Sequence, residues 1–348
     1  MVFLRAFFSA FCVSAILYFA AIFICIDAPI PAEYWVAEVI TVKKELAREY
    51  KGKKKIVIAG GSSSLFGINA EQATSQLNIP VINFGLHAGM KLERILQEAS
   101  AFLEAEDILV LALEPGYFGC NSKLTSWQVT NTIGWDHAAW RAMPINQKLE
   151  LLTLVSPSVL KKMVEAKYQQ IFSQEEVRNR LITMNEKLVL EKFRARSTPK
   201  SFAYSAYNLN NHGDLLLIDG TRYNGPGVHY SSPSNVCPAT AEYLKHFVDA
   251  LKKRQVQVYF INTPYILSDT GLDALRKSEA IFTNELAHIG IVIDKREELV
   301  FERRFFLDAN LHLNEEGRKI RTALLVKAFK KMGHSHQPAS AMPMPQTN

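Results

Sequence analysis

The chain lacks the patterns by which most enzymes hold a cofactor. No Gly-Lys-Ser/Thr ending and no Gly-x-Gly-x-x-Gly occurs among its 348 residues, so neither a P-loop nor a dinucleotide cradle is expected. Cysteine is scarce, four in all, and Cys12 and Cys25 lie inside an apolar N-terminal run. The other two, Cys120 and Cys237, fit no zinc spacing; an oxidising compartment would let them pair, and a buried free thiol accounts for them equally well. His334 and His336 could hold a metal weakly, but the tail from Gly333 onward has no periodic apolar face and reads as solvated and disordered. Neither metal nor cofactor is therefore expected. Charge of one sign is also limited: the net is +6, and Lys51 to Lys55 is the one dense basic run. It reads as a solvated strand entry, and nucleic acid is not an expected partner.

What the sequence does have is a long apolar start. Ala6 to Ile26 is 21 residues without a charge, matching the ~20 that a helix needs to cross a bilayer. Arg5 precedes it, and Asp27, Glu33 and Glu38 follow. The positive-inside rule then puts the N-terminus in the cytoplasm and the rest outside. A cleaved signal would have a shorter apolar core and a small-x-small exit, which Phe23 to Asp27 does not offer. The expectation is an uncleaved single-pass anchor over 6–26 in the inner (cytoplasmic) membrane, a helical stalk over 27–54, a periplasmic α/β domain over 55–332, and a tail over 333–348.

Five apolar runs read as strands: Ile56–Ala59, Val81–Phe84, Ile108–Leu113, Val256–Ile261 and Ile289–Ile293. Most are continuous rather than alternating, as in a parallel sheet covered on both faces. Helical segments Ala70–Leu77, Lys91–Leu103, Thr240–Lys253 and Asp273–His288 separate or precede them. This alternation predicts a three-layer, doubly wound (flavodoxin-like) parallel sheet of five strands. Ligands bind such sheets beyond the strand carboxyl ends, where Ser63, Gly85, Glu114, Asn262 and Pro264 fall. Between about 120 and 235 a long, mostly helical insertion carries Ile145–Leu154, Pro157–Phe172 and Gln174–Phe193. It could be a lid, a substrate groove or a packing elaboration. His137, His212 and His229, with Trp135, Trp140, Tyr223 and Tyr230, would suit a sugar, though such aromatics also serve as ordinary core.

The chemistry-bearing residues stand at two junctions. Gly60-Gly61-Ser62-Ser63-Ser64 follows the first strand, and Asp308-Ala-Asn-Leu-His312 precedes the last helix, where Asn314 reads as an N-cap. Ser63 would be the nucleophile, His312 the general base, and Asp308 the group that orients the imidazole. Asn310 is the other candidate for that contact, and a phosphate-binding turn is the other reading of the serine loop. Oxyanion donors would come from amides at Ser63 or Ser64 and near Gly85 to Gly89, and His87 in that loop could touch substrate. Glu114 reads as an acid or as a salt-bridged rim residue.

These blocks resemble the SGNH/GDSL hydrolase superfamily. Gly61-Ser62-Ser63 stands where that family has Gly-Asp-Ser, with Gly67 four residues after Ser63. Asn83-Phe-Gly85-Leu-His-Ala-Gly89 is similar to the family's second block. Leu113-Glu114-Pro115-Gly116-Tyr117 stands at the third block without its usual Asn. Asp308 and His312 match the last block, one residue further apart than is usual. The closest resemblance is to the membrane-anchored SGNH-like proteins of cell-envelope acylation, such as those serving alginate acetylation and teichoic-acid D-alanylation. It implies an esterase or O-acyltransferase component working through Ser63, His312 and Asp308, with Ser64, Asn83, Gly85, Gly89 and Glu114 around the substrate. The implied partners are an envelope glycan or acyl ester and a membrane-bound O-acyltransferase. The alternative is a non-catalytic scaffold or glycan-binding protein that keeps the fold and recruits that acyltransferase.

Overall fold

The computed structural model describes residues 2–120, 123–226, 236–266 and 283–335. His229, Tyr230, most of the helix expected over Asp273–His288, and the tail beyond 335 with His336 lie outside the described residues. The chain divides into two compact units: Met1–Glu49 with Leu86–Phe102 and Asn121–Leu209, and Tyr50–Gly85 with Leu103–Cys120 and Asn210–Asn348. Elements are numbered along the chain.

The first unit is helical. Helix α1 (Val2–Ile24) includes Phe3–Ile24, a stretch of 22 residues with mean hydropathy 2.3, long and apolar enough to cross a membrane. Helix α2 (Tyr34–Arg48) buries Val36, Val39, Ile40, Val42 and Leu46 along one face, the period that the sequence shows there. With α5 (Leu92–Ser100) come six helices: α6 (Ser126–Gly134), α7 (His137–Ala142), α8 (Ile145–Leu154), α9 (Pro157–Ile171), α10 (Glu175–Ile182) and α11 (Glu186–Arg194). Their starts follow from capping chemistry. Thr125 and Gln128 form a reciprocal capping box, Asp136 accepts from the Ala139 amide, and Ser156 accepts from the Val159 amide ahead of Pro157. The sequence predicts one helix over Gln174–Phe193; the structure has two, because the Asn185 side chain accepts the Leu188 amide and starts α11 afresh.

The second unit holds the sheet. Strands β1 (Ile56–Gly60), β2 (Val81–Gly85), β3 (Ile108–Ala112), β4 (Gln257–Phe260) and β6 (Ile291–Val292) form a five-stranded sheet in the order β2-β1-β3-β4-β6. Every pair is parallel. The first three strands are buried throughout, which is why they read as unbroken apolar runs. The expected strand Ile289–Ile293 shrinks to two residues at the edge. Short helices α3 (Ser62–Gly67) and α4 (Ala70–Leu77) follow β1. Asn69 caps the start of α4, and Asn78 ends it at φ 54° in the left-handed conformation that asparagine tolerates. Helix α12 (Pro238–Lys253) precedes β4, and α13 (Glu315–Ser335) closes the described chain. A second sheet, unforeseen in the sequence, pairs β5 (Tyr265–Ile266) with β7 (Val300–Phe301).

One detail corrects the reading of a single residue and another decides an open pairing. Lys55 is not solvated: its side chain is fully buried and its Nζ lies 2.7 Å from Asp107, while Lys51, Lys53 and Lys54 remain exposed. Cys120 and Cys237 form a disulfide, with Cα atoms 5.0 Å apart, closing a loop of sequence separation 117.

Candidate active site

The site grows out of the turn after β1. There is no room for side chains at the two glycines. A Cβ on Gly60 would stand 2.2 Å from the Ala112 carbonyl oxygen, and one on Gly61 2.6 Å from both carboxylate oxygens of Glu114. The chain therefore passes straight into α3, and Glu114 at the end of β3 caps it. The Gly61 amide donates to Glu114 Oε2 at 3.1 Å and the Ser63 amide to Oε1 at 2.8 Å. A carboxylate at this end also suits the partial positive charge of a helix N-terminus. Glu114 is thus a buried cap, not a rim charge. Burial pushes its carboxyl above the usual range, against the amide hydrogen bonds and the Arg321 charge that favour ionisation. The Ser63 amide is engaged by Glu114, and the Ser64 amide bonds the Gly61 carbonyl at 3.1 Å. Neither remains as an oxyanion donor. The same engagement leaves a phosphate without the amides that such a loop would offer it.

Each side chain of α3 meets a different neighbour. Ser63 is fully buried; Arg321 Nη1 donates to its carbonyl at 2.8 Å and approaches its Oγ at 3.4 Å. Gly67, one turn later, faces the same guanidinium, since a Cβ there would stand 2.2 Å from Nη1. Ser64 Oγ donates to the Ala112 carbonyl. Leu65 packs over Gly85, where a Cβ would come within 2.1 Å of the Leu65 amide nitrogen. Phe66 lies flat on His312, with ring centroids 4.1 Å apart and planes 7° from parallel. Residues three and four apart are neighbours on a helix, so Ser62 and Ser63 both border Phe66 and its stacked His312, and Ser63 in addition meets Arg321. Ser62 also keeps 9% of its surface exposed, while Ser63 and Ser64 keep none.

His312 is presented by a tight loop. An antiparallel bridge joins Phe306 to Leu313, and the Leu307 amide donates to the His312 carbonyl. This closure brings His312 Nδ1 within 2.8 Å of Asp308 Oδ1, so the wide Asp–His spacing is accommodated and Asp308, not Asn310, makes the contact. An Nδ1–H donated to this carboxylate leaves Nε2 as the ring's acceptor for a proton. Both side chains are partly exposed, 14% for His312 and 26% for Asp308. Asn314 Oδ1 then accepts the Gly317 amide and caps α13.

Beneath lies a buried polar network that the sequence did not disclose. Arg321 is fully buried, and its Nη2 donates to the Asn262 carbonyl at 3.0 Å. Burial draws it down to about 10, opposed by the charges of Asp294 and Glu114. Asp294 is pushed up to about 6 by burial, although it accepts the Asn262 amide and side chain. Asn83 is fully buried and does not face solvent. Its side chain donates to the carbonyls of Ser64 and Ile68 and to Asp214, and accepts the Gly85 amide. Asp214 in turn caps α4 through the amides of Ala70 and Glu71. The available signal for Arg321 was its register, four residues before Leu325 on the buried face of α13.

Gly89 and His87 belong to the first unit. There the His87 ring stacks on Trp127 at 4.4 Å, and its Nδ1 accepts the Gly89 amide. Trp127 also lines a cavity of about 290 Å³ with Met90, Lys91, Arg94, Gln128 and Gln147. Trp135 is core, its Nε1 donating to Asn131. Among the described residues no group of three or more His, Cys, Asp or Glu side chains could hold a metal ion. Compared with known proteins, the chain matches no family model, no curated protein and no solved structure.

Proposed function

We propose that this is a membrane-anchored, extracytoplasmic SGNH-like protein that performs serine acyl chemistry on an envelope glycan, as an esterase or as a component of an O-acyltransferase system. The reading is carried by one observation: a hydrogen-bonded Asp308–His312 pair whose imidazole stacks on the helix bearing the serines. The sheet order, with its reversal between β1 and β3, is that of doubly wound folds that bind ligands beyond the strand carboxyl ends. The disulfide fits an oxidising compartment outside the cytoplasm, and α1 fits an anchor.

The nucleophile in this reading is Ser62 rather than Ser63, because Ser63 is committed to Arg321. Ser62 Oγ attacks the ester carbonyl carbon while His312 Nε2 takes its proton. The imidazolium, stabilised by Asp308, returns that proton to the departing alkoxide as the carbon–oxygen bond breaks. Water or a glycan hydroxyl then releases the acyl group from Ser62. The engaged amides of Ser63 and Ser64 favour a second reading, the non-catalytic scaffold for a membrane acyltransferase, since removal of one oxyanion donor typically costs ~10²–10³ in turnover. Hydrolysis of a generic acetyl ester by the full chain, alongside envelope glycan acylation in cells, separates the two. Loss of both activities in Ser62→Ala supports the hydrolase reading; full acylation by that variant in cells supports the scaffold.

A further inference from the structure

Helix α1 is not free along its whole length. Phe3–Ile24 would span about 33 Å at ~1.5 Å per residue, close to the ~30 Å of a hydrocarbon core. Yet one face of its last turns is already covered by protein, while Phe23 and Ile24 stay exposed. The Tyr18 hydroxyl donates to the Val155 carbonyl between α8 and α9, and Ile22 is buried in a cluster with Leu151, Val155 and Met163. Further along, Lys167 of α9 pairs with Asp27 at 2.6 Å. Helix α9 therefore runs beside the end of α1 in the same direction, from Tyr18 towards Asp27.

This pairing fixes depth. Val155 lies level with Tyr18, roughly 9 Å inside the end of the span at Ile24. Lys161 and Lys162 lie six and seven residues beyond Val155, which brings them about level with Ile24, where headgroups begin. Both are exposed, as anionic headgroups would require and as long basic side chains at an interface favour. Beside Val155, Leu154 is 46% exposed, and Leu149 earlier on α8 is 56% exposed, apolar surface that water would leave unfavourably solvated.

We propose that the corner between α8 and α9 is a lipid-contacting surface, with Leu149 and Leu154 in the acyl–headgroup boundary and Lys161 and Lys162 on anionic headgroups. The insertion is thereby a second, interfacial contact with the bilayer and not merely an elaboration of the soluble domain. The inference rests on α1 spanning a membrane but is independent of the serine chemistry.

The test uses the full chain with Cys12→Ser and Cys25→Ala, the disulfide retained, in phosphatidylcholine vesicles containing phosphatidylglycerol. Nitroxide labels are placed singly at Leu154→Cys, at Phe8→Cys within α1, and at Leu188→Cys, an exposed position on α11. Collision rates with oxygen and with a water-soluble nickel complex are compared. The expected result is an oxygen-dominated environment at positions 154 and 8 and a nickel-dominated one at 188. A nickel-dominated signal at 154 with an oxygen-dominated signal at 8 overturns the corner proposal alone; nickel dominance at both overturns it together with the anchor. Shielding of position 154 from both reagents shows that protein, not lipid, covers the corner, and overturns it too.

Discussion

The imidazole of His312 lies flat on the phenyl ring of Phe66, with centroids 4.1 Å apart. Phe66 stands four residues after Ser62 and three after Ser63, so the stack borders both, and they differ in that Ser63 is fully buried against Arg321 while Ser62 keeps some exposure. The helix phase is set in turn by Glu114, whose carboxylate holds the amides of Gly61 and Ser63.

Glu114→Gln removes one of two acceptors from a buried cap and turns an amide group towards a buried N–H. It also leaves Arg321 with one carboxylate fewer. The expected loss of stability is about 2–4 kcal/mol, measured by urea unfolding. A change below ~0.5 kcal/mol, usual at exposed sites, would contradict the buried-cap assignment.

Asp294 gives a pH dependence of defined sign. Its carboxyl moves from the ordinary 3.8 up to about 6 in the folded protein, so the folded state holds the proton more tightly than the unfolded one. Its contribution is fully present below the unfolded value and is lost as pH rises through about 6. The stability of the native protein relative to Asp294→Asn should therefore fall between about pH 4 and 7, by on the order of 3 kcal/mol at most. Urea titrations of both proteins across that range check it. A difference that is flat or rises with pH contradicts it.

The disulfide predicts a thiol count. Unfolded without reductant, the chain should expose two thiols, Cys12 and Cys25, and after reduction four. Reduction, or Cys120→Ser, should lower stability by up to ~4–5 kcal/mol, the loop-closure value for a ring of this size. Four thiols before reduction would refute the pairing.

Much of the sheet was legible because its strands are buried on both faces, so Ile56, Val57 and Ile58 form a run that no half-exposed strand would show. Helix α4 was legible to its ends because Asn69 and Asn78 punctuate it. The break at Asn185 was missed because the apolar pattern of α10 and α11 continues across it. Helix α3 was not legible at all: its six residues are all buried, and a segment buried on every side carries no amphipathic period. Without that helix, the sequence points to Ser63 by motif position alone, with nothing to set its burial against that of Ser62. The roles of Glu114, Arg321 and Asp294 were hidden for a related reason. A charge that is buried and paired looks, in one sequence, like a charge on the surface.

The central claim is that Ser62 is the activated hydroxyl, paired with His312 and Asp308. The most direct measurement is labelling of the full chain with a serine-directed fluorophosphonate, followed by fragmentation of the peptide between Lys55 and Lys91 to locate the adduct. The account predicts one adduct on Ser62, lost in Ser62→Ala and His312→Ala and retained in Ser63→Ala. An adduct on Ser63, or no adduct on the folded native protein, would contradict it.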